Sequence, residues 1–252
     1  NPGVSPLLPA RDLLQCAFLP SSRTLAERAR GHRLISESAE NYLKAIYKLE
    51  VEGREVATGD LAHALGISAP SVSRMLRKLS ERCWVSHSAY RGVRLTDEGR
   101  RQALRVIRNH RILESYLAEV LGVPWDRVDE EVERLEHAVS GELINRMDEA
   151  LGFPKHDPHG SPIPDRNGNM PERDGSVPLV ELATGAQARV RRIAGAAPDE
   201  LAYLEEKGVL PGAPIRLLRR EPFEGPLVMQ IGTRTVFLGL PLARQILVES
   251  EP

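Results

Sequence analysis

The sequence predicts an α+β chain in three parts: an N-terminal winged helix-turn-helix, a helical segment bearing metal-type ligands, and a C-terminal SH3-like β-barrel. Two short helical patterns, residues 58–65 and 69–82, flank the tight turn Gly66-Ile67-Ser68 and precede two short strand-like runs. Carboxylates and imidazoles then gather at helical spacing between His110 and His137. From Pro178 onward, β-like runs separated by Gly and Pro replace the helical periodicity.

A chain of 252 residues can hold one large domain or two to three small ones. Its formal net charge of −1 names no partner, but the distribution of charge does more. Over residues 68–105 nine Lys/Arg stand against three Asp/Glu; over residues 111–150 four stand against eleven. A basic block beside an acidic block suggests polyanion binding on one and cation binding on the other. Cys16 and Cys83 lie far apart with no CxxC, so nothing suggests a disulfide framework or a zinc knuckle. That fits a reducing cytosol, and a cytoplasmic location is expected. No apolar run approaches membrane-spanning length, so no membrane partner is expected. The start of the chain is broken by prolines and by Arg11 and Asp12 and does not read as a signal peptide.

Residues 1–34, interrupted by Pro2, Pro6, Pro9 and Pro20, are expected to form a poorly ordered tail. A winged-helix domain is expected over residues 35–97. Its first helix has Ser36 or Ser38 as cap, Glu37 and Glu40 in the first turn, and Leu43, Ile46, Tyr47 and Leu49 on its apolar face, and it stops at Gly53. Thr58 is expected to cap the second helix. Pro70 sits in the first turn of the third, where its missing N–H costs nothing. Leu61, Ala62, Leu65, Gly66 and Ile67, then Val72, Met75, Leu76 and Leu79, give the pattern of a helix-turn-helix. Ser68, Ser71, Ser73, Arg74, Arg77 and Lys78 point outward, with Pro70 at the same front end. Arginine can pair with guanine, while serines and backbone N–H groups hold phosphates, so this is a surface suited to the major groove. Residues 84–87 and 93–96 then form a hairpin with Arg91 at the tip, placed to meet a phosphate or the minor groove. The plain alternative, an amphipathic helix pair with a basic outer face, does not account for that hairpin.

A helical domain is expected over residues 98–151. Its long first helix runs to about Leu121, carries His110 and Glu114, and ends at Gly122-Val123-Pro124. A second helix is expected over residues 125–138 and a third over residues 140–150. On the second, Asp129, Glu133, Glu136 and His137 lie at offsets of four, three and one, so their side chains can converge. Three carboxylates and an imidazole suit a divalent transition metal; His110 and Glu114, four apart, could face them. The bland reading of the same residues is a solvated acidic face. Val128, Val132, Leu135 and Val139 form an apolar stripe that is either internal core or a dimer seam. Residues 152–177 are rich in Pro, Gly, Asp and Asn and read as a linker; His156 and His159 within it could bind metal, although loop histidines usually do not. Over residues 178–252, strands are expected at 179–182, 188–193, 215–218, 227–231 and 235–238, with a short helix at 200–207. This suits a small barrel without a catalytic cluster.

The order of these parts, together with Glu40-Asn41-Tyr42-Leu43-Lys44-Ala45-Ile46-Tyr47, Ser71-Val72-Ser73, Tyr90-Arg91-Gly92-Val93-Arg94-Leu95-Thr96, His110-Arg111-Ile112-Leu113-Glu114, Glu136-His137, His159-Gly160-Ser161-Pro162-Ile163-Pro164 and Gly208-Val209-Leu210-Pro211-Gly212, resembles the diphtheria toxin repressor family of metal-dependent bacterial regulators, including its manganese-responsive branch. The resemblance covers residue 36 to the C-terminus. It implies that His110, Glu114, Glu133, Glu136 and His137 are metal ligands. Asp129 falls where iron-responsive members place a His, and Glu133 where they place a Cys and manganese-responsive members a carboxylate. Asn41 falls on a position that is Met in iron members and Asp in manganese members. Lys44 replaces a carboxylate of the short manganese regulators. Glu200 falls on a barrel ligand of the ancillary site, while the other barrel position aligns with Ala197, which has no donor.

The resemblance further implies a repressor of metal-uptake genes that binds double-stranded, palindromic operator DNA as a homodimer and is not an enzyme. An oxygen-rich set without thiolate or thioether favours Mn(II) as cofactor, with Fe(II) the alternative. A metal-dependent hydrolase would need a base beside an open metal site, and no HExxH helix is present. A winged-helix regulator answering an organic ligand would leave the acidic face merely solvated.

Overall fold

The computed structural model describes residues 36–51, 53, 56–88, 92–171 and 175–250. The N-terminal tail, including Cys16, and the wing-tip residue Arg91 lie outside the described residues. Two compact units divide the chain, one up to Ala103 and one from Leu104 onward.

In the first unit, α1 (Glu37–Val51), α2 (Thr58–Leu65) and α3 (Ala69–Glu81) precede a hairpin of β1 (Val85–Ser88) and β2 (Gly92–Leu95). The strands are antiparallel, with Val85 opposite Leu95 and His87 opposite Val93, and Val56 bridges to Val93. Leu43, Ile46, Leu61, Val72, Leu76 and Leu79 are fully buried, as the 3.6-residue periodicity requires. Gly66 ends α2 in the left-handed conformation (φ 64°), which a side chain would disfavour, and so turns the chain into α3. The cap of α2 differs from expectation. Ala57 takes the N-cap position and Thr58 is already helical; the carboxylate of Asp60 accepts the Ala57 N–H at 3.1 Å. A carboxylate three residues into a helix can satisfy the cap N–H without help from a hydroxyl. After the hairpin, Thr96 donates its hydroxyl to Cys83 O at 2.6 Å and accepts from Gly99 N at 3.0 Å, which starts α4 (Asp97–Glu119).

In the second unit, α5 (Val128–Leu135) and α6 (Gly141–Ala150) pack with the latter part of α4. Ile112, Leu113, Val128, Val132 and Ile144 are buried in one cluster, so the first two positions of the apolar stripe are internal core, whereas Leu135 is exposed. Ile163, from the Pro-rich stretch after α6, belongs to the same cluster. Arg108 and Asp148 form a buried ion pair at 2.6 Å, joined by Arg166 at 3.2 Å. Helix α5 ends earlier than expected. Glu136 keeps helical dihedrals and bonds back to Val132 O, but both Ala138 N and Val139 N turn onto Leu135 O. Ser140 then caps α6 by accepting from Leu143 N at 3.2 Å, and the chain must turn to reach that cap.

The remainder of this unit is a six-stranded antiparallel SH3-like sheet: β3 (Val177–Pro178), β4 (Gln187–Ile193), β5 (Pro214–Arg220), β6 (Leu227–Ile231), β7 (Arg234–Leu238) and β8 (Ile246–Ser250), in the order β3-β8-β4-β5-β6-β7. Helices α7 (Pro198–Lys207) and α8 (Leu240–Ala243) lie between strands. Register shifts between Val190 and Arg192 and between Leu217 and Arg219 bend the long strands, as bulges do. Two expectations are corrected. Residues 179–181 form a 3-10 turn, because Leu182 N bonds Leu179 O and this spacing buries both leucines together. The sheet also closes with a strand that the sequence does not predict, β8: Ile246 and Val248 are buried on its inner face and it pairs with both β3 and β4.

Candidate metal centre and nucleic-acid interface

In the second unit, His110 projects from the middle of α4 toward the acidic face of α5. Its Nδ1 lies 2.7 Å from Glu136 Oε2 and 4.0 Å from Glu133 Oε1, and its Nε2 lies 3.0 Å from Asp129 Oδ1. The side chain of Glu136 is 2% exposed, that of Glu133 47% and that of Asp129 64%, so the cluster grades from core to solvent. That gradient follows from α5 itself: positions 129 and 133 flank the stripe that buries Val128 and Val132, and position 136 follows at the helix end. One donor atom each from His110, Glu133 and Glu136 can lie within 4.8 Å of one another, and so can one each from His110, Glu114 and Asp129. His137 stands beside them with Nε2 3.5 Å from Glu136 Oε1, but it joins no such group among the described residues.

A third group combines Glu114, Asp157 and His159, all buried. His159 Nδ1 lies 2.6 Å from Glu114 Oε1, and its Nε2 lies 2.9 Å from the carbonyl oxygen of Trp125. Asp157 accepts the backbone N–H groups of His159 and Ser161 at 3.0 and 2.8 Å, and Arg111 approaches its other oxygen at 3.5 Å. Burial, then the charge of Glu114, pushes the Asp157 carboxyl up to about 6 against the opposing pull of Arg111. For His159 burial works against the charged form, but the hydrogen bond it donates to Glu114 and the charges of Glu114 and Asp157 outweigh it and raise the imidazole above its ordinary value. Glu114 thus sits in two candidate ligand groups at once.

Asp157 and His159 were absent from the sequence-based ligand set. They lie in a turn without periodicity, where ligand spacing cannot be read from a helix. The available signal was the compact Asp157-Pro158-His159-Gly160 run, with its two candidate donors two residues apart. Glu200 joins none of the three groups among the described residues; its carboxylate accepts from Ala197 N at 2.8 Å and closes the start of α7. Asn41, in the first unit, has a buried Oδ1 without a hydrogen-bond partner. The donor chemistry on these residues, carboxylate oxygens with one imidazole per group, fits a hard or borderline divalent cation.

In the first unit, α3 presents the expected polar front. Ser68, Pro70, Ser73, Arg74, Arg77 and Lys78 are exposed and Ser71 is half-buried. Ser68 Oγ pairs with Ser71 Oγ at 3.0 Å and makes no cap bond to the helix backbone, and Arg74 Nη2 reaches Ser71 Oγ at 3.5 Å. Ser73 instead turns its hydroxyl back to Ala69 O at 3.1 Å. The exposed arginines and serine hydroxyls of this face form a surface suited to phosphates and base edges.

Three family models match in succession: the N-terminal DNA-binding domain of iron-dependent repressors over residues 34–93, their metal-binding and dimerisation domain over residues 96–165, and the FeoA domain over residues 177–250. The chain is 30% identical over 224 residues to the iron-dependent repressor IdeR of Mycobacterium leprae, an alignment that covers 84% of this chain and 97% of that protein. It is 29% identical over 227 residues to the diphtheria toxin repressor of Corynebacterium efficiens, covering 84% and 95%. Among solved structures it is similar to a manganese-dependent transcriptional repressor in complex with manganese, with 40% identity, a TM-score of 0.78 and coverage of 84% and 100%. The structure of ScaR with bound Cd2+ is also similar, with 30% identity, a TM-score of 0.73 and coverage of 84% and 99%.

Proposed function

Because the chain belongs to the iron-dependent repressor family, whose members are metal-dependent transcriptional repressors rather than enzymes, we propose that it is a manganese-activated repressor of metal-uptake genes that binds palindromic operators as a homodimer. The observation that carries this reading is the convergence of His110, Glu133 and Glu136 with no sulfur donor. Soft metals are selected by thiolate and thioether, while an oxygen-rich set with imidazole accepts Mn(II). The solved manganese-bound relative supports the same choice.

In this reading His110, Glu133 and Glu136, with His137 beside them, hold one cation, and Glu114, Asp157 and His159 hold a second. Asp129 steadies His110 through Nε2. Asn41 is retained as an oxygen donor on chemical grounds, from its unpartnered buried Oδ1. The engagement of Glu200 with Ala197 N weighs against a ligand role for it. A bound cation supplies the positive charge that lets these carboxylates lie together. A state in which they are drawn together is therefore favoured by its tighter metal affinity, and DNA binding is linked to metal only if that state also binds DNA better. Ser68, Pro70, Ser71, Ser73, Arg74, Arg77 and Lys78 supply the operator-reading surface, with Arg91 proposed for the wing tip. A regulator of this kind works in the cytoplasm, and no helix among the described residues is long and apolar enough to cross a membrane.

The iron-dependent relatives favour Fe(II) as the second reading. The two separate in one experiment: binding to an operator fragment measured against free Mn(II) and against free Fe(II) under anaerobic conditions. Stimulation by Mn(II) at cellular free concentrations, with Fe(II) ineffective at its own, supports the manganese reading. The reverse order replaces it with the iron reading.

A further inference from the structure

We propose that Trp125 is a positioning residue that links the cluster of Glu114, Asp157 and His159 to the β-barrel, so that cation capture by this cluster and the seating of the barrel are coupled. The inference rests on the metal reading above. Trp125 lies in the turn between α4 and α5, yet its side chain packs, half-buried, against the barrel core. Its carbonyl oxygen is 2.9 Å from His159 Nε2, and its ring centroid lies 5.2 Å from that of His159 at a tilt of 31°. Its indole Nε1 donates to Glu205 Oε2 on α7 at 3.0 Å. One residue therefore touches the imidazole through its backbone and its ring, and the barrel through its indole N–H.

The arrangement has a chemical consequence. With Nε2–H directed at the Trp125 carbonyl, the lone pair of a neutral His159 is left on Nδ1, on the side of Glu114. A histidine ligand is oriented by the partner of its other nitrogen, and loss of such a partner costs about ten- to a hundredfold in metal affinity. The backbone around His159 is fixed from the barrel as well: its carbonyl oxygen accepts from Ile193 N at 2.9 Å. Gly160 (φ 84°) lies so close to β4 that an added Cβ would stand 1.9 Å from Arg191 O. With the His159 backbone held on β4 and Trp125 held on α7, the ring cannot swing toward a cation without straining one of the two attachments to the barrel.

The test uses the full chain and Mn(II) calorimetry, with the step that disappears in His159→Gln taken as the cluster's own. Trp125→Phe keeps the carbonyl and a ring but loses the indole N–H, so it is expected to weaken that step about threefold, as loss of one hydrogen bond does, and to leave the other step unchanged. Glu205 is exposed, so Glu205→Ala does not threaten the fold; it is expected to weaken the same step about threefold, the scale of one hydrogen bond. Glu205→Gln keeps an acceptor and is expected to restore wild-type affinity. The chain contains two tryptophans, so in a Trp84→Phe background the emission isolates Trp125. That emission is expected to change on the cluster's step and to stay constant in His159→Gln. A purely structural Trp125 would lower the melting temperature in Trp125→Phe and leave both binding steps at wild-type affinity, which overturns the proposal. If the wild-type chain takes up no Mn(II) at all, the metal reading falls with it. Normal uptake in the wild type, with unchanged affinity in Trp125→Phe and Glu205→Ala, overturns the coupling alone.

Discussion

At His110 the two ring nitrogens serve different partners: Nδ1 faces Glu136 and Nε2 faces Asp129. Asp129 and Glu133 fall at helical offsets on α5 and Glu136 follows at its end with helical dihedrals, which is why the spacing of the sequence points to them. The pair of His159 and Asp157 followed no such offset, because a turn brings donors together through backbone geometry that has no fixed period. Glu200 shows the converse. Its residue type and position suggested a ligand, while its carboxylate is engaged by the first turn of its own helix, a local competition common for acidic residues at helix starts. At the same scale, Arg74→Ala is expected to weaken operator binding by about 1–3 kcal/mol. Calorimetry should show Mn(II) uptake unchanged, since Arg74 sits on α3 among hydroxyls and contributes no donor. Gly99→Ala is expected to lower stability by about 1–3 kcal/mol. The added Cβ would stand 1.8 Å from Trp84 O, a backbone atom that cannot swing aside, and thermal unfolding measures the loss.

The elements that were legible in the sequence are those with a long or strongly marked period. Helices α1, α3 and α4 keep their apolar faces over three turns or more, and Gly66 marks the turn of the helix-turn-helix by its left-handed φ. Short elements were decided by their neighbours. The 3-10 turn at Leu179–Glu181 replaces an expected strand because Leu179 and Leu182 both reach the barrel core at a spacing of three. Strand β8 carries its own alternation, yet it needs β4 and β3 on either side to become a strand. The stretch after α6 has too many prolines for a periodic signal, and it still sends Ile163 into the helical core at 5% exposure. Ile163→Ala is therefore expected to cost about 2–5 kcal/mol. A value within about 0.5 kcal/mol of wild type, the range of ordinary surface substitutions, would show that this stretch does not hold the helical unit together.

For the whole molecule, the segregation of charge separates two tasks. The basic residues of α3 and the strands after it lie in the unit up to Ala103, and the acidic helix α5 lies in the unit from Leu104 onward. Operator affinity should therefore fall steeply with added salt, with a slope set by the number of phosphates neutralised. Metal affinity should respond far less, because Glu136 and the cluster of Glu114, Asp157 and His159 are buried. Linkage requires that if metal tightens DNA binding, DNA tightens metal binding by the same factor. The central claim is that the centre of His110, Glu133 and Glu136 controls DNA binding. Its most direct test is operator binding measured across free Mn(II), from chelator to saturation, for the wild type and for Glu136→Gln, which keeps the size and removes the charge of the most buried ligand. The account predicts that Mn(II) tightens wild-type binding at least tenfold, and that Glu136→Gln, folded and still able to bind DNA weakly, loses most of that response. Equal stimulation of both proteins, or equal binding in chelator and in Mn(II), would contradict it.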